Sequence, residues 1–314
     1  MDREPGVKLL RQLYFDAGMK ALREEKRAEA EELLLGALAE CDAAAEPSLA
    51  AELNRELGEL YHGQGRFAQA EPFLKRALGL WERLQGPGDL QSAPLVEKLA
   101  QAYRALKKPA LARALLGFNL AAMEQAQGPD SLKLCPLLDS LADLCLAQRD
   151  YAGAEACVKR GLNLKERNLG PYHAEVAESF RRVADLCDLA GKAAEAELFY
   201  RRLLEARERI FGAGTPAVAE SLDLLAGHYS VRENYPQAEE CLRQAIQIRE
   251  KTLGADHPRV REGLRDLASL CELQGKEQEA EKARERAASL EKKGRSGEAR
   301  GAARKAAPAP KRRG

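Results

Sequence analysis

Apolar residues return to the same places along this chain every forty-two positions. Starting from Leu57, a step of 42 lands on Leu99, Leu141, Val183, Leu225 and Leu267. The next residue is small each time: Gly58, Ala100, Ala142, Ala184, Ala226 and Ala268. From Ala70 the same step reaches Ala112, Ala154, Ala196, Ala238 and Ala280, and from Gly86 it reaches Gly128, Gly170, Gly212 and Gly254. Six units align without a gap. A more divergent unit precedes them with a two-residue shift, matching "AGMKALREEKRAEAEELLLGAL" (17–38) to "LGELYHGQGRFAQAEPFLKRAL" (57–78). A fixed period of this length marks a repeat architecture, in which no unit buries its apolar face alone and stacking completes the core.

Within a unit the pattern predicts two helices. The first runs from just after the glycine loop to a Tyr/Cys slot at 61, 103, 145, 187, 229 and 271, and the second covers about 67–84 and its equivalents. Breaker stretches such as "HGQGRF", "DLAGKA" and "ELQGKE" separate them. The recurring glycine suits the residue after a helix end, with a left-handed backbone. Before each first helix stands Asp89, Ser131, His173, Thr215 or His257, mostly able to cap, and Pro216 and Pro258 follow where a first helical turn accepts proline. Small residues at the 58 and 70 slots let paired helices approach closely.

Composition agrees with long, solvated helices. Charged residues make up 32% of the chain and aromatics 5%, which suits strands poorly. The net charge is +1, yet residues 294–314 carry seven basic residues against one acid, leaving a mildly acidic body. The start, "MDREPGVKLL", lacks the apolar core of a signal peptide, and no apolar run is long enough for a membrane helix. Seven cysteines without a CxxC point to a reducing compartment. The expected location is the cytoplasm, with the nucleus open through the basic tail.

The pairing of L-G/A-x-x-Y with A-E-x-x-x-x-R-A-L, as in "LGELY…AEPFLKRAL", resembles the tetratricopeptide repeat. A period of 42, with "IQIREKTLGADHPRV" (246–260) at a boundary, is similar to the long repeats of kinesin light chains and nephrocystin-3-like proteins. The resemblance covers about residues 10–290 and implies an all-α fold, a right-handed solenoid of about seven 42-residue helix-turn-helix repeats with a concave groove. HEAT and armadillo repeats lack the Leu-small-x-x-aromatic and Ala-Glu pairing. Expected unit boundaries are 8–47, 48–89, 90–131, 132–173, 174–215, 216–257 and 258–293, followed by a disordered basic tail over 294–314. Kinesin light chains carry paired asparagines ahead of the first-helix leucine that hold a peptide backbone. Here those places are Arg55-Glu56, Glu97-Lys98, Asp139-Ser140, Arg181-Arg182, Asp223-Leu224 and Arg265-Asp266, so that mode of cargo recognition does not transfer.

Candidate chemistry thins out under the register. Cys145, Cys187 and Cys271 share the slot of Tyr61, Tyr103 and Tyr229, while Cys157 and Cys241 share that of Phe73 and Phe199, so they read as core fillers. His173 and His257 are cap residues, and His62 and His228 flank the aromatic slot. "GPGDL" and "GAGTP" are inter-repeat loops, and no HExxH, CxxC or phosphate-binding glycine loop occurs. No enzyme activity, cofactor, metal or small-molecule substrate is expected. The expected function is a scaffold or adaptor that binds a peptide or helix in its groove. The candidate groove residues are Arg55, Glu59, His62, Glu97, Gln101, Arg104, Asp139, Asp143, Arg181, Asp185, Asp188, Asp223 and Arg265. Asp139, Asp143, Asp185 and Asp188, beside Arg181 and Arg182, suit a ligand of mixed or basic charge. The alternative is a structural subunit of a ciliary, cytoskeletal or motor-associated assembly, acting through self-association or end-to-end contacts; apolar exposure on a terminal helix would favour it. Nucleic acid enters only as non-specific contact by the tail, whose "PAPKRRG" fits a weak import signal, an electrostatic patch or, more simply, a solubilising end.

Overall fold

The structure is a computed structural model that describes residues 4–89 and 92–306, with side chains described over 9–89 and 92–291. Among the described residues it contains fourteen α-helices and no strand. They form seven helix pairs, which divide into two compact units with the boundary between Lys165 and Glu166. The first unit holds α1 (Glu4–Arg23), α2 (Arg27–Ala39), α3 (Pro47–Gly63), α4 (Phe67–Gln85), α5 (Ala93–Ala105), α6 (Pro109–Gln127), α7 (Cys135–Ala147) and most of α8 (Tyr151–Leu169). The second holds α9 (Ala174–Leu189), α10 (Ala193–Phe211), α11 (Pro216–Val231), α12 (Tyr235–Leu253), α13 (Pro258–Leu273) and α14 (Glu277–Ala306). The expected tail therefore falls partly on α14, which continues to Ala306, and partly on 307–314, outside the described residues.

The small slots do what close approach requires. Ala30, Ala70, Ala112, Ala154, Ala196 and Ala238 have no exposed surface at all. A Cβ on Gly58 would stand 2.7 Å from Leu74 Cδ2 and 3.1 Å from the Leu74 backbone nitrogen, so α3 and α4 touch there almost backbone to backbone. Around these crossings a continuous apolar core runs through the first unit, from Leu34 through Leu57, Leu74 and Leu99 to Leu164. Each such fully buried leucine contributes about 1.5–3 kcal/mol relative to exposure. In the second unit Val218, Ala219, Leu222 and Ala245 form the equivalent cluster.

Each first helix ends in the same hydrogen-bonded turn. The amide N–H of Arg66 donates to the Tyr61 carbonyl, and Lys26, Lys108, Asp150, Lys192, Asn234 and Lys276 make the equivalent bond, all at 2.8–2.9 Å. This six-to-one closure needs a left-handed residue just before the donor. Gly65, Gly191 and Gly275 supply it in three repeats, whereas Glu25, Lys107, Arg149 and Glu233 adopt it despite their side chains, with φ near 57–59°. The second helices end on Gly86, Gly128, Gly212 and Gly254 with positive φ, as expected. Their ψ values lie at 148–161°, however, so the backbone leaves extended, not in the left-handed helical turn that was expected. That region is open essentially only to glycine.

Two first helices start late. α5 and α7 have 13 residues, against 16 for α9, α11 and α13. Pro94 and Pro136 share one register position, where the later repeats have Glu178, Glu220 and Glu262. Proline is best tolerated in the first turn, and these helices begin at Ala93 and Cys135, which puts Pro94 and Pro136 there. Ser92 consequently takes the N-cap position of α5, where its hydroxyl donates to the Asp89 carbonyl at 2.6 Å and does not cap, while Ser131 caps a short 3-10 turn ahead of α7. His173 and His257 do cap, each accepting a backbone N–H through Nδ1 at 3.3 and 3.2 Å. Thr215 instead donates its hydroxyl to the Gly212 carbonyl.

The glutamate after the conserved-slot alanine ties neighbouring repeats together. Glu31 accepts from Tyr61 Oη at 2.9 Å and from Arg66 at 2.7 Å. Lys108 pairs with Glu71 and Lys276 with Glu239, both at 2.7 Å. Tyr229 Oη donates to Glu197 at 2.8 Å. In one repeat the polarity is reversed: Arg113 holds the glutamate position and Asp150 the basic one, and they pair at 3.1 Å. The Arg66 guanidinium holds the Glu31 carboxyl below the usual range, and the Tyr229 hydroxyl does the same for Glu197.

Candidate functional site

The first helices present the candidate residues, but mostly not as free charges. In the first unit Arg55 is half-buried and bonded to Glu56 at 2.8 Å, while Glu59 reaches across to Lys98 of α5 at 2.7 Å. His62 packs edge-on to Phe67 at 5.3 Å, and its Nε2 is buried without a hydrogen-bond partner. Burial, then the nearby Lys98, lowers its pKa, so the ring is neutral over an extended range. Burial raises the pKa of Glu97, and the neighbouring Asp139 adds to the rise. Asp139 also lies 3.7 Å from Lys165. Gln101, Arg104 and Asp143 are exposed.

In the second unit the carboxylates are engaged. Arg181 pairs with Glu178 on its own helix, and Asp185 accepts from Tyr200 Oη at 2.7 Å. Asp188 accepts from His228 Nδ1 at 2.9 Å and from Arg232 at 2.7 Å. Burial, then the Asp185 hydrogen bond, pushes the Tyr200 phenol far up. Its ring and that of Tyr229 flank His228 edge-on at 5.6 and 5.5 Å. Asp185 and Asp188 are thus anchors of an internal polar network. The register carried a signal for it: the His228 slot holds Leu60, Ala102, Leu144, Leu186 and Leu270 elsewhere, so a polar side chain there must bring its own partner. Asp223 forms a two-armed pair with Arg249, and Arg265 meets Glu291 at 2.9 Å.

One part of this face is hollow. Asp223, Gly227 and Ser230 of α11, with Asp266, Ser269 and Leu273 of α13, surround a cavity of about 270 Å³ floored by Ala238 and Leu242 of α12. It exists because three side chains are small. Gly227 and Ser269 occupy the slot of Glu59, Gln101, Asp143 and Asp185, and Ser230 that of His62 and Arg104. Burial raises the pKa of Asp223 against the opposing Arg249. Burial also raises that of Asp266, with Asp223 and Glu262 adding to it. Asp223 already has Arg249 as its cation, whereas Asp266 has acidic neighbours, so a positive charge placed in the hollow would favour its ionised form. By register Gly227, Ser230 and Ser269 fall on groove-lining positions, but that they open a hollow, and that Asp266 lines it, are properties of what faces across two helices.

Glu239, Cys271 and Glu279 bring three donor atoms within 4.8 Å of one another. Glu239 already accepts from Lys276 and Gln274, and burial keeps the Cys271 thiol protonated, so this cluster suits a metal ion poorly. All seven cysteines are free thiols. Among the described residues no helix is long and apolar enough to cross a membrane.

The geometry can be set beside known proteins. A tetratricopeptide-repeat family model matches residues 49–117, 91–167, 133–209 and 217–293, well over half the chain. No curated protein matches. The crystal structure of BtubC (BKLC) from P. vanneervenii is similar with a TM-score of 0.53 and 20% identity, covering 79% of this chain and 96% of that one. The signal transduction ATPase PH0952 from Pyrococcus horikoshii, which has a tetratricopeptide repeat sensor, gives 0.58 and 16%, covering 86% of this chain and 40% of that one. Aspartyl phosphate phosphatase F from Bacillus subtilis gives 0.51 and 14%, covering 91% and 71%. At these identities the likeness is one of fold. The 42-residue register, the helix pairs and the family match lead to one conclusion: this chain belongs to the tetratricopeptide-repeat family, whose repeats generally mediate protein–protein interaction.

Proposed function

We propose that this protein is a non-enzymatic scaffold that holds a peptide against its first-helix face, with a basic side chain of the peptide seated between α11 and α13. The observation that carries this is the hollow itself, where Gly227, Ser230 and Ser269 leave room and Asp266 supplies a carboxylate beside the Asp223–Arg249 pair. A lysine or arginine entering it would make charge-assisted hydrogen bonds of about 1.5–3 kcal/mol each. Location in the cytoplasm accords with the free thiols.

The test is binding of an arrayed set of random peptides to the full-length protein and to Gly227→Glu, which plugs the hollow from an exposed helix position. Peptides with a central Lys or Arg should bind the wild type and lose at least tenfold in the variant. Equal binding of both proteins to every peptide would refute the assignment.

A second reading, self-association or end-to-end assembly, is favoured by α1. Leu9, Leu10 and Leu13 are 65%, 44% and 57% exposed on that helix. Analytical ultracentrifugation of the wild type against Leu9→Glu/Leu13→Glu separates the two: only assembly through α1 predicts a mass that falls with the substitution.

A further inference from the structure

The first unit contains a second recess, away from the first-helix face. It encloses about 720 Å³ between the end of α2, the start of α3 and the outer side of α4. Its origin lies in the divergent first repeat. α2 has 13 residues, whereas α4, α6, α8, α10 and α12 each have 19. Six missing residues remove about 9 Å of helix. The α4 positions that a full-length neighbour would cover, Gly79, Leu80 and Arg83, therefore face the recess.

Asn54 lines this recess and is out of place in the register. Its slot holds Val96, Leu138, Phe180, Leu222 and Leu264 in the following repeats, all buried. Asn54 is only 4% exposed. Its Nδ2 donates to the Ala50 carbonyl at 2.7 Å, which fixes the amide orientation, because an oxygen there would oppose another acceptor. Oδ1 is left buried with no donor. An unmet acceptor of this kind is costly and calls for an N–H.

Charge points the same way. Lys75, Arg76 and Arg83 rim the recess, all three exposed and none in an ion pair among the described residues. In the nearby 40–46 segment Glu46 pairs with Arg11 and Asp42 accepts the Ala44 amide, while Glu40 is not part of the lining. The segment 294–314 of this chain, with its seven basic residues, carries the wrong charge to fill the recess.

We propose that this recess binds an acidic peptide segment of a protein partner. A backbone N–H of the segment donates to Asn54 Oδ1, an aliphatic side chain packs on Leu38 and Leu80, and flanking carboxylates meet Lys75, Arg76 and Arg83. This site is distinct from the α11–α13 hollow in place and in sign of charge, and it stands or falls separately.

A display library of random dodecapeptides, panned on the full-length protein, tests it with two variants. Lys75→Glu/Arg76→Glu/Arg83→Glu reverses the rim at exposed positions, and Asn54→Leu installs the residue type of the other repeats. Expected binders carry Asp or Glu around a Leu or Ile and lose at least tenfold in affinity on rim reversal. They lose about threefold or more in Asn54→Leu, although that variant should melt no lower than the wild type. A library without acidic binders, or acidic binders that tolerate the rim reversal, overturns the proposal.

Discussion

Gly191 offers a clean measure of what the repeat turn demands of the backbone. It closes α9 with φ +75°, and a Cβ placed there would meet nothing within 4 Å. Gly191→Ala therefore introduces no clash, and its whole effect is backbone conformation. A residue with a Cβ costs about 1–2 kcal/mol in the left-handed region, and replacing glycine recovers about 0.5–1 kcal/mol of unfolded-state entropy. The net expectation is a loss of about 1 kcal/mol. Glu233 holds the same turn one repeat on at φ 58°, so Glu233→Gly should be neutral or stabilising by up to about 1 kcal/mol. Urea unfolding followed by circular dichroism gives the global value. Because repeat arrays unfold locally, hydrogen exchange of the Lys192 amide, which closes the turn on the Cys187 carbonyl at 2.8 Å, gives the local one. Equal stability of Gly191→Ala and wild type, or losses of the same size from both substitutions, would refute the assigned backbone role.

Gly58→Ala should behave oppositely in origin: its Cβ meets Leu74 at 2.7 Å, so overpacking of about 1–3 kcal/mol is expected, read by thermal melting. The reversed inter-repeat pair invites a double-mutant cycle. Arg113→Glu and Asp150→Lys should each destabilise, and together should recover about 0.2–1 kcal/mol of coupling, since both side chains are over a third exposed. Acid should loosen the repeats through Glu31 and Glu197. Their folded pKa values lie below the ordinary 4.5, so the stability they contribute is present above that value and lost as pH falls through the lower one. Glu31→Gln should flatten that part of a urea-midpoint-against-pH curve. Glu97 has the opposite sign, its pKa raised by burial and by Asp139, so Glu97→Gln should be stabilising at pH 7, with the gain vanishing below pH 4.5.

The sequence by itself determined the repeat, because close helix packing admits only small residues at fixed places, and a recurring Ala70 or Gly58 slot is visible without coordinates. It also placed the loops, since glycine at positive φ and proline in a first turn are local requirements. What it could not place were features made across helices. Asp185 and Asp188 read as groove charges, yet Tyr200, His228 and Arg232 claim them from other helices. The α11–α13 hollow depends on three small side chains facing one another from two repeats, and the α2–α4 recess depends on a helix that stops six residues early. Local chain chemistry fixes where helices begin, end and touch. Whether a charge is spent internally or left for a partner is decided only by what the neighbouring helix brings within hydrogen-bond reach.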